Sequence, residues 1–342
     1  MLRTYKPLAA HNIFIYQQHV EYLVFNVWCK ARKDINCQEL LTKEFEEIYL
    51  KRNWIKEGVD EIYDICQYLN DVERATIKEA FIVNNAIDLL SEGAYKPIEL
   101  GKLPDLVANK MKPLLIKFYS DLISAREKLS YYNDLIIQNG DFKFCLCCGL
   151  SPIESAESHY REDNDHYLPK AEYPFASVNF KNLLPLCSKC NKKCKSTKNP
   201  FDNGRKSFYA FKPLENEFEI EVSIDPTDSK SYLALKDEEV TLTYNNDPEK
   251  VDTWHWLFKI NTRYKEEIRQ FSKTELRMLA NRFKRNEDRK KGESYEQILN
   301  DAIEDYEFDK YDDRKFLKRG FLKEMLNKRD WMDVYDQLLA LE

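Results

Sequence analysis

Six of the nine cysteines in this chain fall between Cys145 and Cys194. Four of them form two Cys-x-x-Cys pairs, Cys145/Cys148 and Cys187/Cys190. Asp165, His166, Asn182 and Asn191 stand between and beside the pairs. Each pair can grip one edge of a tetrahedral ion, and two pairs close the shell. Four thiolates with no open position make a structural Zn2+ site rather than a catalytic one. Cys147 and Cys194 are read as spectators. The other residues suit a different chemistry. An imidazole titrates near neutrality, so His166 can accept a proton from water. Asp165 and Asn191 offer the hard oxygens that Mg2+ or Mn2+ prefers. Phosphodiester hydrolysis needs such a base, with charge stabilised on the phosphoryl and leaving oxygens.

The run Asp165-His166…Pro169…Asn182-Leu183…Leu186-Cys187-x-x-Cys190-Asn191 resembles the HNH endonuclease motif, the ββα-metal fold. The resemblance covers roughly residues 142 to 200, and the cysteine pairs resemble the zinc-bearing branch of that family. It implies a hairpin and a helix around one divalent cation. His166 then matches the general base, and Asp165 a ligand of the catalytic Mg2+ (or Mn2+). Asn182 matches the middle asparagine, which fixes the loop carrying the base. Asn191, directly after Cys190, is the second metal ligand. Lys189, Lys192, Lys193, Lys195 and Lys198 would follow the helix and meet nucleic-acid phosphates. Two departures stand out. Cys194 occupies a place where the family often has lysine, and the loop from His166 to Asn182 carries Tyr173-Pro174-Phe175 instead of a glycine pair.

The activity so implied is metal-dependent cleavage of DNA, leaving 5′-phosphate and 3′-hydroxyl ends. RNA such as tRNA is the alternative substrate, because the metal engages a phosphate and needs no 2′-hydroxyl. A non-catalytic zinc module that binds nucleic acid or protein is the alternative to an enzyme. Proteins of this look often act in bacterial restriction or anti-phage defence, sometimes beside an ATPase partner; a second copy of the chain is another candidate partner.

These residues must be positioned by the elements around them. Asp165 and His166 are neighbours, and on an extended strand they point to opposite faces, so a bulge or irregular strand end is expected there. Residues 1–138 read as a helical scaffold or partner domain. Apolar residues recur at helical spacing over 12–31, 39–54, 59–69, 71–90 and 105–137, with Pro113 expected to kink or restart the last. Residues 139–206 carry the motif. Residues 207–342 begin with alternating strands, Phe218 to Ile224 and Val240 to Tyr244, and turn helical from Trp254 onward. The fold class expected is α+β, mostly helical, with the small ββα unit stapled by its four-cysteine zinc site between the flanking regions.

The chain has 342 residues, 33% of them charged, and a net charge of −6. Nucleic-acid contact must therefore come from local patches. A second patch runs through Arg277, Arg282, Lys284, Arg285, Arg289, Lys290 and Lys291; a solvated helix face explains it equally well. No apolar stretch is long enough to span a bilayer, and the chain reads as cytoplasmic. In a reducing compartment clustered cysteines read as metal ligands, and Cys29, Cys37 and Cys66 as buried thiols. His11 and His19 read as surface or core residues, His159 as part of a polar loop, and His255 as a packed helix residue. Asp163 is a candidate outer carboxylate. Arg263 and Tyr264 are candidates to reach substrate.

Overall fold

The computed structural model describes residues 1–140, 142–226, 232–288 and 292–328. Helices dominate, with two small antiparallel sheets, an α+β arrangement. Contacts divide the chain into two compact units: Met1, Arg3–Phe142 and Ile153–Pro213 in one; Leu2, Lys143–Pro152 and Leu214–Glu342 in the other. Residues 153–206 of the cysteine-bearing segment thus group with the helical residues before them.

The first unit contains α1 (Ile15–Tyr22), α2 (Lys43–Lys51), α3 (Asn53–Cys66), α4 (Asp71–Asn85), α5 (Ile87–Ser91), α6 (Lys112–Lys117) and α7 (Ala125–Gln138). Their starts are written locally. Asn70 and Ser124 close capping boxes with Glu73 and Glu127, satisfying backbone donors that a helix N-terminus leaves open. Pro113 sits in the first turn of α6 but restarts nothing: the π-helical turn Val107–Met111 runs directly into it with helical dihedrals at Met111, an irregular turn that accommodates the proline. The larger break in 105–137 comes at Ile123, whose extended backbone precedes the Ser124 cap.

Two short strands follow, β1 (Asn164–His166) and β2 (Leu183–Pro185), paired Asn164↔Pro185, Asp165↔Leu184 and His166↔Leu183. After β2 comes one π-helical segment, Lys189–Lys195. The loop between the strands is docked on the helices. Phe175 packs edge-on against Phe81 of α4, Phe180 against Tyr131 of α7, and Asn179 donates to the Asn85 side chain. The aromatic Tyr-Pro-Phe loop therefore has a packing reason: its rings are buried in the helical scaffold.

In the second unit, β3 (Ile220–Ile224) pairs with β4 (Val240–Tyr244), burying Ile220, Val222, Ile224, Val240 and Leu242 while Glu221, Ser223, Thr241 and Thr243 face solvent. The alternation read from sequence is this face selection. Helices α8 (Pro248–Phe258), α9 (Ile260–Asp288), α10 (Tyr295–Phe308) and α11 (Lys315–Lys328) complete it, with α8 and α9 separated at Lys259, whose left-handed φ of 54° ends the first. Among the described residues no helix is long and apolar enough to cross a membrane.

Candidate active site and metal centre

The sulfurs of Cys145, Cys148, Cys187 and Cys190 lie within 4.8 Å of one another, and all four residues are buried. A tetrahedral zinc with Zn–S bonds of about 2.3 Å spaces its sulfurs about 3.8 Å apart, so the donor set fits. No disulfide joins any of the nine cysteines. The Leu150 N–H points at Cys148 Sγ at 3.5 Å, a donor that favours the thiolate. Gly149, at φ +64°, makes the tight turn after Cys148; a Cβ there would meet Leu2 and Phe316. Cys147 and Cys194 are buried outside the group.

His166 ends β1. Its Nε2 lies 3.0 Å from the Ser177 carbonyl, which can only accept, so the ring proton sits on Nε2 and Nδ1 keeps its lone pair. Ser177 is anchored in turn, its hydroxyl donating to the Leu115 carbonyl. Burial lowers the imidazole to about 3, helped most by the charge of Lys170, and the ring is neutral. Asn182 latches the same loop from the other strand. Its Oδ1 accepts from Leu168 N at 2.7 Å, and its Nδ2 donates to the carbonyls of Leu168 and Ala176. A fully buried amide with three partners in one loop holds that loop in a single conformation.

Asp165 is where the sequence reading needs correction. The ladder pairs in regular register through His166, without the expected bulge. Asp165 and His166 therefore leave the strand on opposite faces. The Asp165 carboxylate is 4% exposed and ion-paired to Lys195, whose Nζ lies 3.2 Å from one oxygen and 3.1 Å from the other. Burial pushes the carboxyl up in pKa, against the pull of that ammonium. Lys195 also donates to the His166 carbonyl at 2.9 Å. It is thus no exposed phosphate contact, because a buried cation with three oxygen partners is already engaged. Asn191 donates through Nδ2 to the Asp163 carbonyl at 3.2 Å. For a hard divalent cation this arrangement fits poorly, because an ion on Asp165 must displace Lys195.

Lys189, Lys192 and Lys193 are exposed and Lys198 half-buried. Lys192 pairs with exposed Asp163 at 2.7 Å. Arg277, Lys284 and Arg285 lie exposed on α9, and Arg282 pairs with Asp301; Arg289, Lys290 and Lys291 lie outside the described residues. Arg263 and Tyr264 are interior: both are buried, and the Tyr264 hydroxyl donates to the Cys148 carbonyl, so neither reaches substrate.

Several neighbours of His166 were not singled out from sequence. Tyr119 meets its ring edge-on at 4.6 Å. Lys128 and Lys170 place their ammoniums 4.5 and 4.7 Å from the Tyr119 ring centre. Tyr119 and Lys128 come from helical sequence with no chemical signature, so only folding reveals them.

Over 112 residues, 32% of this chain and 34% of its relative, the sequence is 33% identical to protein ea31 of Escherichia phage lambda. The chain thus spans about a third of that relative's length. No family model and no solved structure matches it.

Proposed function

We propose that residues 142–200 act as an HNH-type endonuclease unit that hydrolyses phosphodiester bonds, with DNA as substrate. The observation that carries this reading is the hairpin running into the Lys189–Lys195 segment, with a neutral imidazole at the end of its first strand and Asn182 fixing the loop behind it. In this reading His166 Nδ1 accepts a proton from the attacking water while the Ser177 carbonyl holds Nε2–H and aims the ring. An anionic phosphate nearby offsets the repulsion from Lys170, Lys195 and Lys128, and brings the imidazole back toward the range where proton acceptance is efficient. Exposed Lys189, Lys192 and Lys193 meet the backbone. Zinc, when bound to the four cysteines, supplies a rigid cross-link with no open coordination position.

The test is cleavage of supercoiled plasmid, single-stranded DNA and tRNA by the purified chain, with Mg2+, with Mn2+ and with EDTA. Plasmid nicking is expected, with the EDTA arm deciding whether it needs a divalent ion, and His166→Ala is expected to slow it by about 10²–10⁴-fold with zinc content unchanged. Absence of cleavage under every condition rejects the enzyme. Cut tRNA beside intact plasmid moves the substrate to RNA. Undiminished cutting by His166→Ala removes that residue from the base role. A place in restriction or anti-phage defence, with an ATPase or a second copy as partner, belongs to the same proposal; co-purification tests it.

A further inference from the structure

Around Tyr119 the first unit gathers positive charge; the carboxylates of Asp163 and Asp165 act on the ring more weakly than Arg161 does, and both are already paired, with Lys192 and Lys195. Lys128 Nζ and Lys170 Nζ stand 4.5 and 4.7 Å from the same ring centre, so two ammoniums share one aromatic neighbour. Lys128 is 7% exposed, and among the described residues its one hydrogen bond is a long 3.5 Å contact to the Ser120 carbonyl. Arg161 adds a third cation that repels Lys128 and acts on Tyr119, while its guanidinium donates to the Glu162 carbonyl. Among the described residues none of the three pairs with a carboxylate. Asp121 and Glu127 act on Lys128 more weakly than Arg161 and Lys170 do. Asn164 is 7% exposed and lies beside the Tyr119 hydroxyl, and among the described residues neither of its amide atoms reaches hydrogen-bond geometry with a partner. Cation–π packing accounts for ammoniums on an aromatic ring. It does not account for clustering that leaves mutual repulsion unrelieved, nor for a buried amide left unpaired.

We propose that Lys128, Lys170 and Arg161, with Asn164 and the Tyr119 hydroxyl, form an oxyanion site beside His166 that takes a phosphate group. The site rests on the nuclease reading for its role, as the seat of a backbone phosphate. As a binding site it stands on its own geometry. Three donors of positive charge and two neutral polar groups, partly desolvated, are what a tetrahedral oxyanion requires. Lys128 and Tyr119 lie outside the motif, so the helical scaffold would complete a site that residues 142–200 cannot build alone.

Binding to the full chain in EDTA separates this from catalysis. Inorganic phosphate is titrated by calorimetry, and a labelled short single-stranded oligonucleotide by anisotropy. Lys128→Met and Lys170→Met are each expected to weaken binding by about tenfold, whereas Lys102→Met, exposed and paired with Glu99, leaves it unchanged. Lys128→Met is also expected to melt higher, because it removes a buried repelled cation; a merely packed lysine would melt lower on loss. Half-buried Lys170 keeps the test open if Lys128→Met misfolds. Wild-type affinity in both variants, or no binding of either probe to the parent chain, overturns the site. Phosphate binding lost without oligonucleotide binding lost assigns it to free phosphate; loss of both assigns it to the backbone. A protein that binds both in this pattern yet never cuts retains the site and loses the nuclease reading.

Discussion

At the residue scale the unexpected group is Lys195. Its position in the lysine-rich run suggested a backbone contact, yet its ammonium neutralises a carboxylate that is 4% exposed. Removing one partner of such a pair strands a buried charge and costs about 3–5 kcal/mol. Lys195→Met is therefore expected to lower stability by that amount, and adding Asp165→Asn to recover part of it, read by denaturant melts. A loss in the double variant equal to the sum of the Lys195→Met and Asp165→Asn losses would show that the pair is uncoupled. His255 gives a second test. Among the described residues its buried Nδ1 has no hydrogen-bond partner beside Tyr244, and burial lowers the imidazole to about 4. Between its ordinary pKa of about 6.5 and about 4, the unfolded chain takes a proton that the folded chain refuses. Stability therefore falls as pH drops through that window, by on the order of 1–2 kcal/mol after solvent screening. His255→Phe should flatten that part of the pH profile, measured by melts at pH 7 and near pH 4.5.

At the element scale, packing distances fix which substitutions a helix accepts. Gly320 lets α11 approach β3: a Cβ there would sit 2.8 Å from a Val222 methyl and 3.1 Å from the Ile220 carbonyl oxygen. Backbone cannot swing aside as a side chain does. Gly320→Ala is expected to destabilise by about 1–3 kcal/mol, against little change for Gly101→Ala, where a Cβ meets nothing within 4 Å. Thermal melts of the two variants decide it. The β1–β2 loop shows the complementary case. Its burial comes from Phe81, Tyr131 and Asn85 on helices far off in sequence. The helices thus act as a scaffold for the loop behind His166.

At the scale of the whole molecule, a net charge of −6 means that any polyanion is met through local fields rather than an overall attraction. The four buried cysteines form a group that could hold a structural metal such as zinc, whose binding would add a stabilising term that composition does not show. The protein is expected to purify with about one zinc per chain. Cys187→Ser or a strong chelator should remove the metal, together with a share of a binding energy on the order of 10 kcal/mol. Metal analysis and melting temperature measured together check this. A chain without zinc, with the same melting temperature in Cys187→Ser, would remove the metal from the stability of the fold.

Cysteine spacing, the helical recurrence of apolar residues and the alternation in β3 and β4 were legible because each is a local pattern. Two thiols three residues apart can share an ion, apolar residues three or four apart line one face of a helix, and a period of two selects one face of a sheet. Asn182 was legible only through its resemblance. What tertiary structure alone decided is charge: Lys195 finding Asp165 thirty residues away, and Tyr119 and Lys128 arriving beside His166 from helical sequence. Nothing along a chain specifies the partner of a buried charge. Docking brings distant groups together, and the cost of leaving an ion in a low-dielectric interior then determines which pairs form.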